Sequence, residues 1–377
     1  MDYDQLALTL HKQFAGKITT KLRDGSTLDR DKLSAYYSPG VGAVSRAIAD
    51  DPSTLADYTW TNNLVAVISD GSAILGLGDL GPKAAMPVME GKALLFKHFA
   101  DIDSVPIVLD VHTPDEIIAA VKAMAPSFGA INLEDIAAPK CFEVEERLKA
   151  ELDIPVFHDD QHGTAIVTLA GLINACSVTG RDLRSSRIVT IGAGAAGTAI
   201  VKLLYTYGVR DIVAVDSRGI LSDQRTDLNA EKQMLLDYVD SSHSGQIEDA
   251  IAGADVFIGV SKAGLLTPEL VAAMAPDPIV FALANPVPEI MPDAARQAGV
   301  AVLATGRSDF PNQVNNALAF PGIFRGALDH AVGQITDEHK LAAATALAEL
   351  VAEPSRDQII PSPFDERVVP AVAAVVR

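Results

Sequence analysis

The sequence predicts an α/β fold in two parts, a mixed α/β part followed by a doubly wound parallel sheet. The chain has 377 residues, of which 49% are hydrophobic and 21% are charged. This length exceeds the size at which one hydrophobic core usually stops growing, so two domains are expected. From residue 187 onwards, strand-like and helix-like segments alternate, and this alternation is typical of a parallel sheet with helices on both faces.

The first part carries both strand and helix signals. Residues 63–71, 105–111 and 155–160 are short apolar runs, which predict three strands. A longer stretch, 163–180, has helical periodicity and ends at a glycine, so we interpret it as the helix that bridges the two parts. The predicted domains are residues 1–162 and 163–377.

The second part has a more regular pattern. Its predicted strands are residues 187–191, 211–216, 254–260, 278–284 and 300–306. Helical segments lie between them, as a parallel sheet requires. Residues 338–351 have the pattern of a surface helix near the C-terminus.

Charge and cysteine content indicate which partners and which cellular location to expect. The formal net charge is −19 and no apolar run could span a bilayer, so neither nucleic acid nor a membrane is expected as a partner. Residues 1–14 include acidic side chains and have the pattern of an amphipathic helix rather than of a secretory signal. The two cysteines, Cys141 and Cys176, form no CxxC pair, which favours a cytoplasmic location.

Two glycine motifs match the G-x-G-x-x-G pattern. The first, GLGDLG at 76–81, is followed by Pro82 and Pro87, which we expect to interrupt any helix after it, so we interpret it as a tight turn. The second follows a predicted strand and precedes a predicted helix, the arrangement that dinucleotide binding requires. Its six residues are Gly192, Ala193, Gly194, Ala195, Ala196 and Gly197. The sequence therefore predicts a Rossmann-type domain that holds a pyrophosphate at a helix N-terminus.

An acidic residue ends the next predicted strand. Asp216 is placed where a carboxylate accepts hydrogen bonds from the adenosine ribose, which favours NAD. Arg218 lies two residues later and could instead receive a 2′-phosphate, so NADP stays open.

Two pairs of acids follow apolar runs in the first part. They are Glu134–Asp135 and Asp159–Asp160. Carboxylates that converge at strand ends repel one another unless a hard cation such as Mg²⁺ or Mn²⁺ joins them. Each pair alone could equally be helix caps or solvated turns, and Asp160 could cap the helix at Gly163. We interpret the neighbouring His158 and His162 as supporting residues.

Several segments together resemble the malic enzyme family, in the order that the family has them. The resemblance spans nearly the whole chain and is closest to the short bacterial form. The matching segments are AYYSPGVG (35–42), SDGSAILGLGDLGPKAAMPVMEGKALLF (69–96), INLEDI (131–136), HDDQHGTA (158–165), GAGAAG (192–197), LANP (283–286), QVNNALAFPGIFRGAL (313–328) and IIPSPFDERV (359–368).

The resemblance implies oxidative decarboxylation of (S)-malate to pyruvate and CO₂ with reduction of NAD(P), in a catalytic domain followed by a dinucleotide-binding domain. It makes Tyr37 the general acid, with Tyr36 as the second choice, and Lys92 the general base, with Asp159 as a further catalytic acid. The implied metal ligands are Glu134, Asp135 and Asp160. The implied substrate contacts are Lys92, Asn285, Asn315 and Asn316, and Asn285 also contacts the dinucleotide.

One position departs from the larger eukaryotic members, which have an arginine for the substrate carboxylate where this chain has Ala73. Lys83 or the asparagines are the candidates to replace it.

A malolactic enzyme or a soluble oxaloacetate decarboxylase of the same family is an alternative function, because both use the same lysine, tyrosine and metal. A non-catalytic dinucleotide sensor and an amino-acid dehydrogenase need no such set of acids. The resemblance also implies a homodimer or higher oligomer, in which the N-terminal helix completes the neighbouring site.

Overall fold

A computed structural model describes residues 3–14 and 17–377, and it confirms the predicted α/β fold class. Two sheets are each covered by helices. Residues 3–14 form the predicted N-terminal helix, and residues 1 and 2 of that prediction lie outside the described residues. Within the described ranges, no helix has the length and apolar character needed to cross a membrane.

The first sheet has four parallel strands in the order β2-β1-β3-β4. Every residue of β1 is buried, as expected for a strand covered on both faces. The elements in chain order are α1 (Tyr3–Phe14), α2 (Arg30–Tyr36), α3 (Val41–Asp50), α4 (Leu55–Tyr58), β1 (Leu64–Ser69), α5 (Pro82–Ala100), β2 (Asp103–Val108), α6 (Pro114–Met124), β3 (Ala130–Leu133), α7 (Lys140–Glu151), β4 (Val156–His158) and α8 (Asp159–Val178).

The second sheet has six strands in the order β10-β9-β8-β5-β6-β7. All neighbours are parallel except β7, a two-residue antiparallel strand that the sequence did not predict. The elements are β5 (Ile188–Ile191), α9 (Ala195–Tyr207), β6 (Ile212–Asp216), β7 (Gly219–Ile220), α10 (Ala230–Leu235), α11 (Ile247–Ile251), β8 (Val256–Gly259), α12 (Pro268–Ala272), β9 (Ile279–Ala282), α13 (Pro292–Gln297), β10 (Val302–Thr305), α14 (Phe320–Asp329), α15 (Asp337–Glu349) and α16 (Val368–Val375).

Helix α5 contradicts the expectation that prolines interrupt the segment after the first glycine motif. The helix runs for 19 residues through both prolines. Pro82 occupies the first helical position, where its missing N–H would have had no partner in any case. Pro87 removes one internal hydrogen bond, but Met89 and Phe96 are fully buried and fix the helix against the sheet.

Helix α15 is not the surface helix that its sequence suggested. Ala343, Ala344 and Leu347 are fully buried, and the helix packs against α8. Small side chains allow two helix backbones to approach closely, and an alanine-rich face gives only a weak apolar signal in the sequence.

The two sheets share one hydrophobic cluster. Val65 and Val67 of β1 belong to the same set of buried side chains as Ile188 of β5 and Ile258 of β8. The end of the chain also returns to the first half, since the ring of Phe320 on α14 lies 4.7 Å from that of Phe96 on α5. The predicted division after residue 162 falls within the first turn of α8 and stays a prediction.

Candidate active site

The second glycine motif forms the turn between β5 and α9. Gly192 has a φ of +112°, a backbone conformation that residues with a side chain rarely adopt, and Gly194 precedes the first residue of α9. A Cβ on Gly197 would overlap the carbonyl oxygen of Gly192. The helix therefore starts close to the strand, and its free N–H groups face the space where a pyrophosphate would lie.

Replacing Gly197 by alanine is expected to lower both the melting temperature and the affinity for the dinucleotide, because the added methyl group separates β5 from α9. Gly194→Ala is the matched control for the fold, since nothing lies within 4 Å of a Cβ built there. We expect this variant to melt like the wild type but to bind the dinucleotide more weakly. Circular dichroism and calorimetric titration with NAD measure the two effects. Equal melting temperatures for both variants would contradict this account of Gly197.

Asp216 lies at the end of β6, as predicted, but its carboxylate is already engaged. Arg225 donates to its two oxygens at 2.8 and 3.2 Å, and Lys232 donates at 2.6 Å. Burial opposes ionisation, yet hydrogen bonds from Arg225 and Lys232 hold the pKa of Asp216 below its usual value. Arg218 points its guanidinium at Asp227, at 2.8 Å. The end of β6 thus combines two acids, Asp216 and Asp227, with three cations.

The two acidic pairs of the first half converge because their strands are neighbours. Leu133 at the end of β3 pairs with His158 at the end of β4, so Glu134 and Asp159 follow the sheet at the same edge. Glu134, Asp135 and Asp160 each offer an oxygen within 4.8 Å of the other two. The N–H of Asp135, which has a φ of +53°, donates to the Asp160 carboxylate at 2.8 Å.

The electrostatics of this carboxylate cluster (Glu134, Asp135 and Asp160) favour a bound cation. Burial and repulsion by Asp160 raise the pKa of Asp135 to about 7 and that of Glu134 well above its usual range. One oxygen of Asp135, Oδ2, is buried and has no hydrogen-bond partner among the described residues. Three oxygen donors that repel one another and carry an unsatisfied acceptor fit Mg²⁺ or Mn²⁺.

Lys92 of α5 reaches the carboxylate cluster from the side. Its side chain is only 10% exposed, and its ammonium contacts the Asp159 carboxylate and lies 3.0 Å from Glu134 Oε1. The ring of Phe320 lies under the same ammonium, with Nζ 4.7 Å from the ring centroid. Burial alone would lower the pKa of Lys92, but Asp159, Glu134 and Asp160 outweigh it and raise the pKa above its usual value.

Two of the predicted asparagines lie beside residues of the first half of the chain. Asn285 is exposed in the loop after β9, and a Cβ built on Gly76 would lie 2.9 Å from its carbonyl oxygen. Asn316 lies 3.0 Å from a Cβ built on Gly163, in the first turn of α8. Asn315 accepts a hydrogen bond from the N–H of Ala317 at 2.8 Å. The first glycine motif is thus a loop that contacts the Asn285 segment.

The two tyrosines are not brought to the carboxylate cluster. Tyr36 and Tyr37 lie at the end of α2 and are 62% and 69% exposed. The hydroxyl of Tyr36 donates to Asp24 at 2.9 Å. Within the described residues, no hydrogen bond or ion pair joins either tyrosine to Lys92 or to the cluster.

A buried carboxylate that sequence reasoning missed lies behind the acidic turn. Glu145 of α7 is 5% exposed, has hydrogen bonds with His158, Gln161 and His162, and forms an ion pair with Lys149, so that each oxygen has two partners. Burial would raise the pKa of Glu145, but His162 and Lys149 outweigh it and hold the pKa well below its usual range. Burial lowers the pKa of His162 to about 4, so its imidazole is neutral at neutral pH. Glu145 matches no motif, and no local signal could have identified it.

Comparison with known proteins decides the family. The model for the N-terminal domain of malic enzyme matches residues 18–149, and the model for the malic enzyme NAD binding domain matches residues 161–375. The chain belongs to the malic enzyme family. The predictions of this family, of an oxidoreductase of the malic enzyme type and of NAD(P)-dependent oxidative decarboxylation of malate are therefore confirmed.

Individual malic enzymes resemble the chain over its full length. The chain is 55% identical to the bifunctional malic/malolactic enzyme of Bacillus subtilis, with 100% of this chain and 92% of that protein covered. It is 49% identical to the NADP-dependent malic enzyme of Halomonas elongata, covering 99% and 92% of the two chains. The crystal structure of the NAD-dependent malic enzyme of Thermotoga maritima superposes with a TM-score of 0.95 at 50% identity and covers 98% of each chain.

Proposed function

We propose that the crevice between the two sheets carries out the oxidative decarboxylation of (S)-malate to pyruvate and CO₂, with a divalent cation and NAD or NADP. The observation that carries this assignment is the contact of the buried Lys92 ammonium with Asp159 and Glu134 beside three converging carboxylates. A base and a set of oxygen ligands at one point are what oxidation and decarboxylation of a hydroxy acid require. A dinucleotide sensor would need neither.

In this proposal Glu134, Asp135 and Asp160 hold Mg²⁺ or Mn²⁺. When bound, the cation supplies Lewis-acid polarisation of the substrate oxygens and neutralises the carboxylates that keep Lys92 protonated. Asn316 lies beside Gly163 on α8 and Asn285 lies beside Gly76 of the first glycine motif, which supports their assignment to orient the substrate. Asn315 is assigned to the same task by the family motif.

Lys92 would take the proton of the C2 hydroxyl while hydride leaves C2 for the dinucleotide. After loss of CO₂, the enolate of pyruvate needs a proton at C3, and Tyr37 is assigned to donate it. Asp159 contacts the Lys92 ammonium and fixes its position. Lys92 then returns a proton to the Tyr37 phenolate.

The relative of Bacillus subtilis that is named bifunctional favours a second candidate, malolactic conversion of malate to lactate. An oxaloacetate decarboxylase would leave out the redox step altogether. Incubation with malate, Mn²⁺ and NAD or NADP separates these reactions through the absorbance of the reduced nicotinamide. Formation of pyruvate with one equivalent of reduced dinucleotide supports the malic enzyme reaction. Lactate or pyruvate formed without reduced dinucleotide would exclude it.

We propose NAD as the preferred dinucleotide, with NADP also accepted. Asp216 suits a ribose diol. Arg225 and Lys232, which pair with Asp216, and Arg218, which pairs with Asp227, are cations that suit a 2′-phosphate.

Lys232→Gln is expected to raise the KM for NADP about tenfold or more, the effect of losing one charge-assisted hydrogen bond. The KM for NAD should change little, because Asp216 keeps Arg225 as a partner. Initial rates with each dinucleotide measure the difference, with Lys122→Gln on α6 as an exposed control. An equal rise in the KM values for NAD and NADP would show that Lys232 does not distinguish the 2′-phosphate from the 2′-hydroxyl.

We also propose a homodimer or higher oligomer in which Tyr37 acts in the site of the partner subunit. Helices α1 and α2 and the connection between them leave large apolar side chains exposed, as a segment covered by another subunit would. Those exposed side chains include Leu6, Leu8, Leu10, Ile18, Leu22, Leu28 and Leu33. A cytoplasmic location is proposed with it, since both cysteines are buried free thiols.

Mixing two inactive variants, Tyr37→Phe and Lys92→Met, is expected to restore part of the activity. A mixed dimer would contain one site with both native residues. Subunit exchange followed by the malate assay tests this, and a mixture of Tyr37→Phe with Tyr37→Phe/Lys92→Met is the control. Lack of recovery after demonstrated exchange would place Tyr37 in the site of its own chain.

A further inference from the structure

The acidic turn between β4 and α8 is attached to α7 on both of its sides. Before the two acids, the N–H of His158 donates to Glu145 Oε1 at 3.1 Å. After them, the amide of Gln161 donates to Glu145 Oε2 at 3.1 Å, and the imidazole of His162 lies 2.9 Å from the same oxygen. One carboxylate therefore connects the residues that flank Asp159 and Asp160.

Glu145 is itself held in place by a further contact on its own helix. Lys149, one helical turn later on α7, lies 2.7 Å from Glu145 Oε1. Each oxygen thus has two partners, and Glu145 is buried together with His158 and Gln161. A buried, fully paired carboxylate is costly to displace, so it fixes the backbone that it binds.

We propose that Glu145 is a positioning residue for the metal-binding turn, which sets Asp160 at the distance from Glu134 and Asp135 that a divalent cation requires. The inference rests on the proposed function, because it assumes that these three carboxylates bind the cation. Metal ligands depend on partners of this kind, whose loss commonly weakens metal binding about 10- to 100-fold.

Glu145→Gln tests the inference without relying on activity. The glutamine keeps the shape of the side chain but presents an amide group to two of the four donors. We expect the Kd for Mn²⁺, measured by electron paramagnetic resonance of the free ion, to rise about 10- to 100-fold. The affinity for NAD should stay as in the wild type, because Glu145 has no contact with the glycine motif.

Glu289→Gln is the matched control. Glu289 is also a buried carboxylate, but it accepts the N–H groups of Ser261 and Ala284 in the second sheet. Its substitution should leave the Kd for Mn²⁺ within about twofold of the wild type. If both variants weaken Mn²⁺ binding equally, or if folded Glu145→Gln binds Mn²⁺ like the wild type, the inference is overturned.

Gln161→Met serves if Glu145→Gln does not fold. It removes one hydrogen bond to Glu145, so the expected rise in the Kd for Mn²⁺ is about two- to tenfold, and an unchanged Kd overturns the inference. Asp135→Asn separates this failure from failure of the proposed function. If Asp135→Asn binds Mn²⁺ like the wild type, the assignment of the metal site falls, and the inference about Glu145 falls with it.

Discussion

Lys92→Met is expected to lower kcat for malate oxidation by about 10²- to 10⁴-fold, the usual contribution of a general base. The thioether cannot accept the proton of the C2 hydroxyl. Decarboxylation of added oxaloacetate should fall less, because that reaction needs no proton removal at C2. Steady-state rates with malate and with oxaloacetate measure both effects, and Mn²⁺ binding should persist because Lys92 is not a ligand.

The control for Lys92→Met is Lys97→Met on the same helix. Lys97 is about half exposed, and its ammonium lies 3.0 Å from Asp103 at the surface. Its substitution should leave both rates close to those of the wild type. Lys92→Met also leaves the buried Asp159 carboxylate without the ammonium group that pairs with it. The free energy of unfolding is therefore expected to fall by about 3–5 kcal/mol. A folded Lys92→Met protein with nearly normal malate oxidation would eliminate Lys92 as the base.

Asp135→Asn is expected to abolish most of the activity at ordinary Mn²⁺ concentrations and to weaken Mn²⁺ binding. The substitution leaves two of the three carboxylates that we assign to the cation. Calorimetric titration with Mn²⁺ and the malate assay measure the two losses. Asp115→Asn, an exposed acid at the start of α6, is the control and should behave like the wild type.

Asp135 should also make the stabilisation of the protein by Mn²⁺ depend on pH. Because the pKa of Asp135 is raised to about 7, the folded protein holds a proton there that the unfolded chain has lost. Its contribution to stability is therefore largest at low pH and declines as the pH rises towards 7. Mn²⁺ replaces that proton, so its increase in melting temperature should be larger at about pH 8 than at about pH 5.5. In Asp135→Asn this difference should shrink.

Local patterns correctly predicted the strand, turn and helix at the start of the second half. The strand, the glycine turn, the helix and Asp216 follow one another within 30 residues, so their spacing alone defines the arrangement. The convergence of Glu134 with Asp159 could also be anticipated, because both follow strands and parallel strands end at one edge of a sheet.

Features that depend on distant packing could not be predicted. The prolines of α5 suggested a break, whereas burial of Met89 and Phe96 sustains the helix through them. Glu145 had no sequence signal because its hydrogen-bond partners His158, Gln161 and His162 come from β4 and α8. The exposed position of Tyr37 was equally hidden, since the resemblance assigned its role but not its surroundings.

The hydrophobic cluster that runs from Val65 on β1 to Ile188 on β5 affects how any variant must be judged. Because both sheets draw on the same buried side chains, damage at either one is transmitted to the cooperative unfolding of the whole chain. A drop in melting temperature therefore does not show where the damage lies. Gly197→Ala in one half and Lys92→Met in the other could produce the same calorimetric trace. Only titrations with separate ligands, Mn²⁺ for one half and NAD for the other, identify which half has been harmed.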